Sequence, residues 1–367
     1  MTTPPYAGKR TAPADASHLL HRCRELVAPA LAAAVGTLHP WIGEMARYAL
    51  GRPGAGGAAA PRPGKGVRQA LAVLGAEAAG APAGTGVPAA VCVELVHTFS
   101  LLHDDIMDGD PMRRGHPAVW KAYGTGAAVL AGDALFALAV ETLTAAPAPA
   151  GPSAADPRDT GPPSAHVPAA VRHLTAALND LVHGQADDLL FARRPWEGPE
   201  AVSTGEYETM AERKTGALLG CALALGAQLA GAHRETVTAL DRAGRHLGVA
   251  FQIVDDLLDI WGDPAVTGKP VHGDLRQGKK TFPVLAALNA PGRGELARLL
   301  TAPTALDDSA VHRSALLIER CGGRAAALTE ARSHLAAADA LLESAPLAPR
   351  PRAELRTLLS ALTDRTL

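Results

Sequence analysis

Two groups of aspartates with one spacing are the residues best placed to do chemistry. They are Asp104, Asp105 and Asp108, then Asp255, Asp256 and Asp259 about 150 residues further on. Each group puts acids at i, i+1 and i+4. On a helix that spacing sets i and i+4 on one face, with i+1 at its edge. Three carboxylates so close repel one another unless a cation lies between them. Hard oxygen donors without a ring of backbone carbonyls suit Mg²⁺ better than Ca²⁺ or Zn²⁺, and Mg²⁺ completes its shell with water and phosphate oxygens. Two such arrays facing each other would grip a diphosphate from both sides.

The neighbouring cations extend that reading. Gly109 and Pro111 end the first helix and turn the chain back, which brings Arg113 and Arg114 near the acids. Guanidinium groups bind phosphate oxygens bidentately. Lys269, Lys279 and Lys280 follow the second group in a glycine-containing loop, and Lys214 beside Thr215 interrupts an apolar helix. A lone acidic triple is ordinarily a solvated helix face, and a lone Arg pair a surface charge. Here two triples share a spacing, lie in apolar sequence (Val93 to Met107, Leu247 to Trp261) and precede clustered cations, which favours a site. Glu94 and His97 form half of a di-iron helix motif, but no second Glu-x-x-His pair accompanies them.

These residues need long helices to hold them. Of 367 residues 47% are hydrophobic, enough for a large core, and helical periodicity is found at 17–34, 40–50, 67–79, 87–108, 115–145, 168–194, 203–231, 234–261 and 279–289, with more before Leu367. Strand-like alternation is nearly absent. The expected fold is all-α: one domain, 17–367, a bundle of roughly ten to thirteen helices around a central cavity. Residues 1–16 read as a disordered tail. Stretches 51–66 and 146–168 are low-complexity loops whose Gly, Pro and Ala content buries little apolar surface. With 35 basic against 37 acidic residues, net charge −2 argues against nucleic-acid or membrane-surface binding. No apolar run of transmembrane length and no signal peptide is expected. Cys23, Cys92, Cys221 and Cys321 are widely spaced, as free buried thiols of a cytoplasmic protein would be.

Taken together, the motifs resemble the trans-isoprenyl diphosphate synthases of the polyprenyl synthetase family. The residues that carry the resemblance run from Glu94 through Asp108, then Arg113-Arg114-Gly115, Gly132-Asp133, Gly184-Gln185, Lys214-Thr215-Gly216, Phe251 through Asp259, Gly268-Lys269 and Gly278-Lys279-Lys280-Thr281. The match spans about residue 20 to the C-terminus outside the two loops. The resemblance implies a homodimer that joins isopentenyl diphosphate to allylic diphosphates, with three Mg²⁺ ions per active site. It places metal on Asp104, Asp108, Asp255 and Asp259, with Asp105 and Asp256 among the catalytic acids. Arg113, Lys214, Thr215, Gln252, Lys269 and Lys279 would hold the allylic diphosphate. Lys65, Arg68, His97 and Arg114 would hold isopentenyl diphosphate. The family's Gly-Gly-Lys-Arg-x-Arg-Pro stretch reads Pro63-Gly64-Lys65-Gly66-Val67-Arg68-Gln69 here, which retains Lys65 and Arg68 but loses one Gly, one Arg and the Pro.

In this family the residues just before the first acid group line the pocket for the growing tail. Phe99 stands five before Asp104, about 7.5 Å back along the helix, and the small Ser100 four before. A bulky ring there, with no insertion in the acid group, resembles synthases of the C20 product, geranylgeranyl diphosphate, with the C15 farnesyl product close behind. Two other readings rank lower. A class I terpene cyclase would not need isopentenyl-site cations or an all-carboxylate second group. A non-catalytic partner subunit would be expected to have lost one acid group.

Overall fold

The computed structural model describes residues 15–52, 64–147, 166–263, 271–302 and 306–363. The 1–14 part of the expected tail, and most of both expected low-complexity loops, lie outside the described residues. Among the described residues the chain is helical apart from one short hairpin.

Helix α1 (Ala16–Gly36) starts where the Asp15 carboxylate accepts from the Ser17 backbone N–H. Helices α2 (Pro40–Ala49) and α3 (Val67–Ala78) follow, and then a 3-10 turn leads into α4 (Val87–Met107). The expected helix over 115–145 is divided. A two-stranded hairpin, β1 (Met112–Arg113) and β2 (His116–Pro117), comes first, then α5 (Val119–Tyr123) and α6 (Thr125–Thr144). Gly124, at φ 94°, breaks α5 from α6 in a conformation that an L side chain rarely adopts. Next come α7 (His166–Phe191) and α8 (Thr204–Ala211), which opens on a capping box of Ser203 and Glu206. A π-helical turn (Glu212–Gly216) then joins α8 to α9 (Ala217–Leu229). Helix α10 (Arg234–Trp261) precedes α11 (Gly273–Gln277), α12 (Phe282–Leu288), α13 (Gly294–Leu300), α14 (Asp308–Arg320), α15 (Gly323–Ser344) and α16 (Pro349–Thr363).

Helix α4 lies against α3, α6 and α9. Helix α9 also touches α3, α7 and α10, and α10 carries α15 on its far side. Leu95, Val96, Leu135, Leu174, Leu218, Leu225 and Leu247 fill the core between them. The crossing of α10 over α9 and the π turn before it is close because glycines four residues apart face each other, Gly216 and Gly220 against Gly244 and Gly248. A Cβ on Gly248 or Gly244 would overlap the facing glycine's backbone.

Two helices, α4 with its preceding turn and α6, match a membrane-crossing segment in length and apolar composition alone. Helix α6 has only Asp133 and Glu141 as charged residues in its 20. More than half of the apolar window that includes α4 is enclosed by the rest of the fold, as in a core helix. Cys23, Cys92 and Cys221 are free and buried; Cys321 is free and half-buried.

Candidate active site

Both aspartate groups stand at helix C-termini. Asp104 and Asp105 lie in the last turn of α4, with Asp108 as its C-cap, and Asp255, Asp256 and Asp259 lie in the last turns of α10. The negative end of a helix dipole disfavours carboxylates, so cations must reach them. Lys279 follows the second group in sequence, yet its Nζ donates to Asp108 Oδ2 of the first at 3.2 Å. Gln277 Nε2 also donates across, to Asp110 Oδ1 at 3.4 Å. Lys214 Nζ donates to Asp188 Oδ2 at 2.6 Å, and the Lys214 charge also acts on Asp104. Asp104, Asp108, Asp188, Lys214 and Lys279 therefore border one space. Burial pushes Asp104 up to about 6; Asp108 and Asp188 add to the rise, and Lys214 and Arg113 oppose it.

The i+1 acid of each group is held differently from its neighbours. Asp105 is buried, and its Oδ1 accepts from Arg113 Nε at 2.6 Å. That bond ties the hairpin back onto α4. Asp256 is also buried and accepts from Tyr207 Oη at 2.6 Å, the Phe282 backbone N–H at 3.0 Å and Gln252 Nε2 at 3.2 Å. Burial, chiefly, raises its pKa to about 8, Asp274 adds to the rise, and the three donors work against it. Asp256 so fixes the start of α12. Asp259 likewise accepts from the backbone N–H groups of Gly273 and Asp274, both at 3.1 Å, and fixes the start of α11. These two caps aim the segment that carries Lys279.

The π turn places Lys214. Its wider ring interrupts the α8–α9 register, as π turns do at functional sites. Thr215 Oγ1 donates to Gln252 Oε1 at 2.8 Å, which links the turn to the Asp256 network. Helix α7 can approach only because residue 184 is glycine; a Cβ there would overlap the Lys214 backbone.

A second, basic region borders the first. Arg68 Nη1 lies 3.3 Å from His97 Nε2. Burial, with Arg68 and Arg114 adding to it, holds His97 well below its usual pKa, so the neutral ring can accept from Arg68. Burial also lowers Arg68 to about 10, and the charges of Glu94 and Asp255 partly offset this. Arg114 and Gly115 form the two-residue turn of the hairpin with φ of 52° and 79°, as a type I′ turn requires. The Arg114 guanidinium lies over Gly64, where an added Cβ would come within 3.0 Å of Nη2. Arg24 Nη2 donates to the Lys65 carbonyl at 2.9 Å. The buried Nε atoms of Arg24 and Arg68 have no hydrogen-bond partner among the described residues. Unpartnered buried guanidinium donors are what an anionic ligand would satisfy.

Comparison with known proteins agrees with this geometry. The polyprenyl synthetase family model matches residues 56–316. The chain belongs to the polyprenyl synthetase family. It is 42% identical to a geranylgeranyl diphosphate synthase of Mycobacterium tuberculosis over 341 residues, 92% of each chain. It is 41% identical to a (2E,6E)-farnesyl diphosphate synthase of Mycobacterium bovis over 357 residues, 95% of this chain and 92% of that one. A polyprenyl synthetase structure from Streptomyces coelicolor A3(2) superposes with a TM-score of 0.83 at 43% identity, covering 95% of this chain and 99% of the other. The chain is therefore an isoprenyl diphosphate synthase, a prenyltransferase.

The family's metal ions can be tested against these residues. The donors bordering the space are all carboxylate oxygens, Asp108 and Asp188 raise the pKa of Asp104, and ammonium groups already lie against two of them. That set fits Mg²⁺. Of the residues expected from the sequence, Asp104, Asp108, Lys214 and Lys279 meet at this space, and Arg68, His97 and Arg114 meet beside it. Thr215, Gln252, Asp256 and Arg113 support it from behind through the bonds given above. Lys65 is exposed at the edge, and Lys269 lies outside the described residues. Phe99 packs edge-on to His103, centroids 4.9 Å apart, and tilted against Phe136 of α6 at 5.5 Å. Ser100 Oγ donates to the His97 carbonyl at 3.0 Å. The sequence alone drew no attention to Asp188, Tyr207 and Arg24, and it gave Asp274 no role. The only signal for Asp188 was its place four residues after Gly184 in a quoted motif.

Proposed function

We propose that the enzyme condenses isopentenyl diphosphate with C5, C10 and C15 allylic diphosphates in a Mg²⁺-dependent reaction that ends at geranylgeranyl diphosphate. The bond from Lys279 to Asp108 carries this reading, because Lys279 lies on the segment held by Asp256 and Asp259 and reaches an acid of the first group. Mg²⁺ held by Asp104, Asp108 and Asp255 would neutralise charge growing on the departing diphosphate. Lys214 and Lys279 bind the same diphosphate and move onto its oxygens from Asp188 and Asp108. Asp105 holds Arg113 in place to do the same. Arg68, Arg114 and Arg24 bind isopentenyl diphosphate, with His97 kept neutral beside them. Its double bond attacks the allylic cation left by C–O cleavage, and the proton then lost goes to the released diphosphate. These residues act by placement and electrostatics, so no protein nucleophile is required.

Phe99 forms the floor of the tail pocket in this reading. Phe136 directly behind it makes a two-ring wall, which favours a second reading, a C15 product. Product analysis by mass spectrometry decides between them, using purified protein with isopentenyl diphosphate and each primer. A C20 product that disappears with EDTA is the expected result. A C15 end product selects the second reading, and no elongation with any primer by folded protein refutes the function. Phe99→Ala should lengthen the product by at least one C5 unit; an unchanged distribution removes Phe99 from the pocket floor.

The enzyme is also proposed to be a homodimer through α6 and α7. These helices pack together and expose Leu130 (48%), Val182 (58%) and Leu190 (55%), with Val129, Phe136 and Leu189 alongside. Monomers seldom leave so much contiguous apolar surface in water. Sedimentation should show two chains, and Leu130→Lys with Val182→Lys should shift it to one. A monomeric wild-type protein at micromolar concentration would refute the interface.

A further inference from the structure

A second cluster of ligand-type side chains lies away from the diphosphate site. Glu208 of α8 and Glu330 and His334 of α15 each offer an atom, and all three atoms lie within 4.8 Å of one another. All three residues are half-buried. His334 Nε2 stands 3.4 Å from Glu330 Oε1. Two ligands about 2.0–2.1 Å from a tetrahedral ion would lie about 3.3 Å apart. Glu330 and His334 are spaced i, i+4, which puts both on one face of α15. Behind them, His334 Nδ1 lies 2.9 Å from His246 Nδ1 of α10.

This cluster is separate from the aspartates of α10. Asp255 is nine residues beyond His246, so it lies about 13.5 Å further along the helix and about half a turn round. His246 therefore faces α15 while Asp255 faces the opposite side.

The hydrogen-bond arithmetic points to a cation. Only one proton can lie between the two Nδ1 atoms. If His334 gives it, His334 Nε2 is a bare lone pair directed at carboxylate oxygens, a face that a cation satisfies. A metal-ligating histidine usually donates its other N–H to a second group, as His334 would to His246. If His246 gives the proton instead, His334 Nε2–H can donate to Glu330, but Glu208 and Glu330 still repel.

We infer that Glu208, Glu330 and His334 form a binding site for a divalent transition-metal ion, Zn²⁺ by its mixed carboxylate and imidazole donors, with His246 as the second-layer partner of His334. Mg²⁺ is a poor fit, since imidazole is a soft donor for it. The ion joins α15 to α8. Tyr207, next to Glu208, holds Asp256, so the same ion steadies the network that aims Lys279 into the diphosphate site.

The test is equilibrium dialysis of the EDTA-stripped full chain against ZnCl₂ in excess MgCl₂, which keeps the all-oxygen groups filled, together with thermal melting. The expected result is one Zn²⁺ per chain and a rise in Tm that MgCl₂ alone does not give. Glu330→Gln and Glu208→Gln, each isosteric and on different helices, should weaken zinc binding at least about tenfold and abolish the rise. His246→Ala should weaken it by roughly tenfold as a second-layer change. If zinc binds to Glu330→Gln and Glu208→Gln as it does to wild type, it resides elsewhere and the site is wrong. The absence of saturable zinc binding by the folded wild-type chain also overturns it.

Discussion

Asp104→Asn should lower kcat for chain elongation by about a thousandfold or more while the protein stays folded. Asp104 sits in the last turn of α4, where burial, with the charges of Asp108 and Asp188 adding to it, pushes its pKa up to about 6. That crowding costs the apoprotein energy and is relieved when a cation binds. Asn keeps the side-chain shape but removes the charge that draws the cation, and with it the means of neutralising a departing diphosphate. A thousandfold loss corresponds to about 4 kcal/mol of transition-state stabilisation. Stability should be unchanged or slightly higher, because the neutral amide relieves repulsion from Asp108 and Asp188. Initial rates of isopentenyl diphosphate incorporation, with urea unfolding as the control, check this. A variant within tenfold of wild type would place the metal elsewhere.

Asp256→Ala should do the reverse, destabilising the fold by about 3 kcal/mol before any effect on chemistry is considered. Its carboxylate accepts from Tyr207 Oη, the Phe282 N–H and Gln252 Nε2, all in the interior. Truncation leaves the Tyr207 hydroxyl and the Phe282 amide buried without a partner, at roughly 1–3 kcal/mol each. Relief of the buried, raised-pKa carboxylate offsets part of that loss. Urea unfolding of Asp256→Ala beside Asp255→Ala separates the roles, since Asp255 is exposed and should lose activity without losing stability. Equal midpoints for the two variants would refute the structural assignment of Asp256. The same logic predicts a lower kcat for Asp256→Ala, because the start of α12 and the Lys279 segment are no longer fixed.

The separation of neighbouring acids shows where local reading stops. The i, i+1, i+4 spacing marks both groups as carboxylate arrays and puts i+1 at the edge. Which way the edge residue turns depends on what lies there: Arg113 eight residues downstream for Asp105, and Tyr207 forty-nine residues upstream for Asp256. Lys279 and Lys214 were visible as cations near apolar helices, but their partners Asp108 and Asp188 are 171 and 26 residues away. Arg24 and Asp188 were missed because single charges on amphipathic helices have the pattern of a solvated face. The π turn at 212–216 left no periodic signal, since one widened ring shifts the phase too little to register. Gly124 was a visible breaker inside an expected helix, and the structure shows that it does break it.

By itself the sequence determined the helices, the two acid groups and the cations that follow them, because these depend on spacing along a 3.6-residue turn and on residue chemistry. The tertiary structure alone decided which acids border the shared space and which are bound to buried donors. It also decided that Arg24 joins Arg68, and that Glu208, His246, Glu330 and His334 converge. Such pairings are set by helix crossings between distant segments, and the glycines that permit those crossings carry no side chain to announce them.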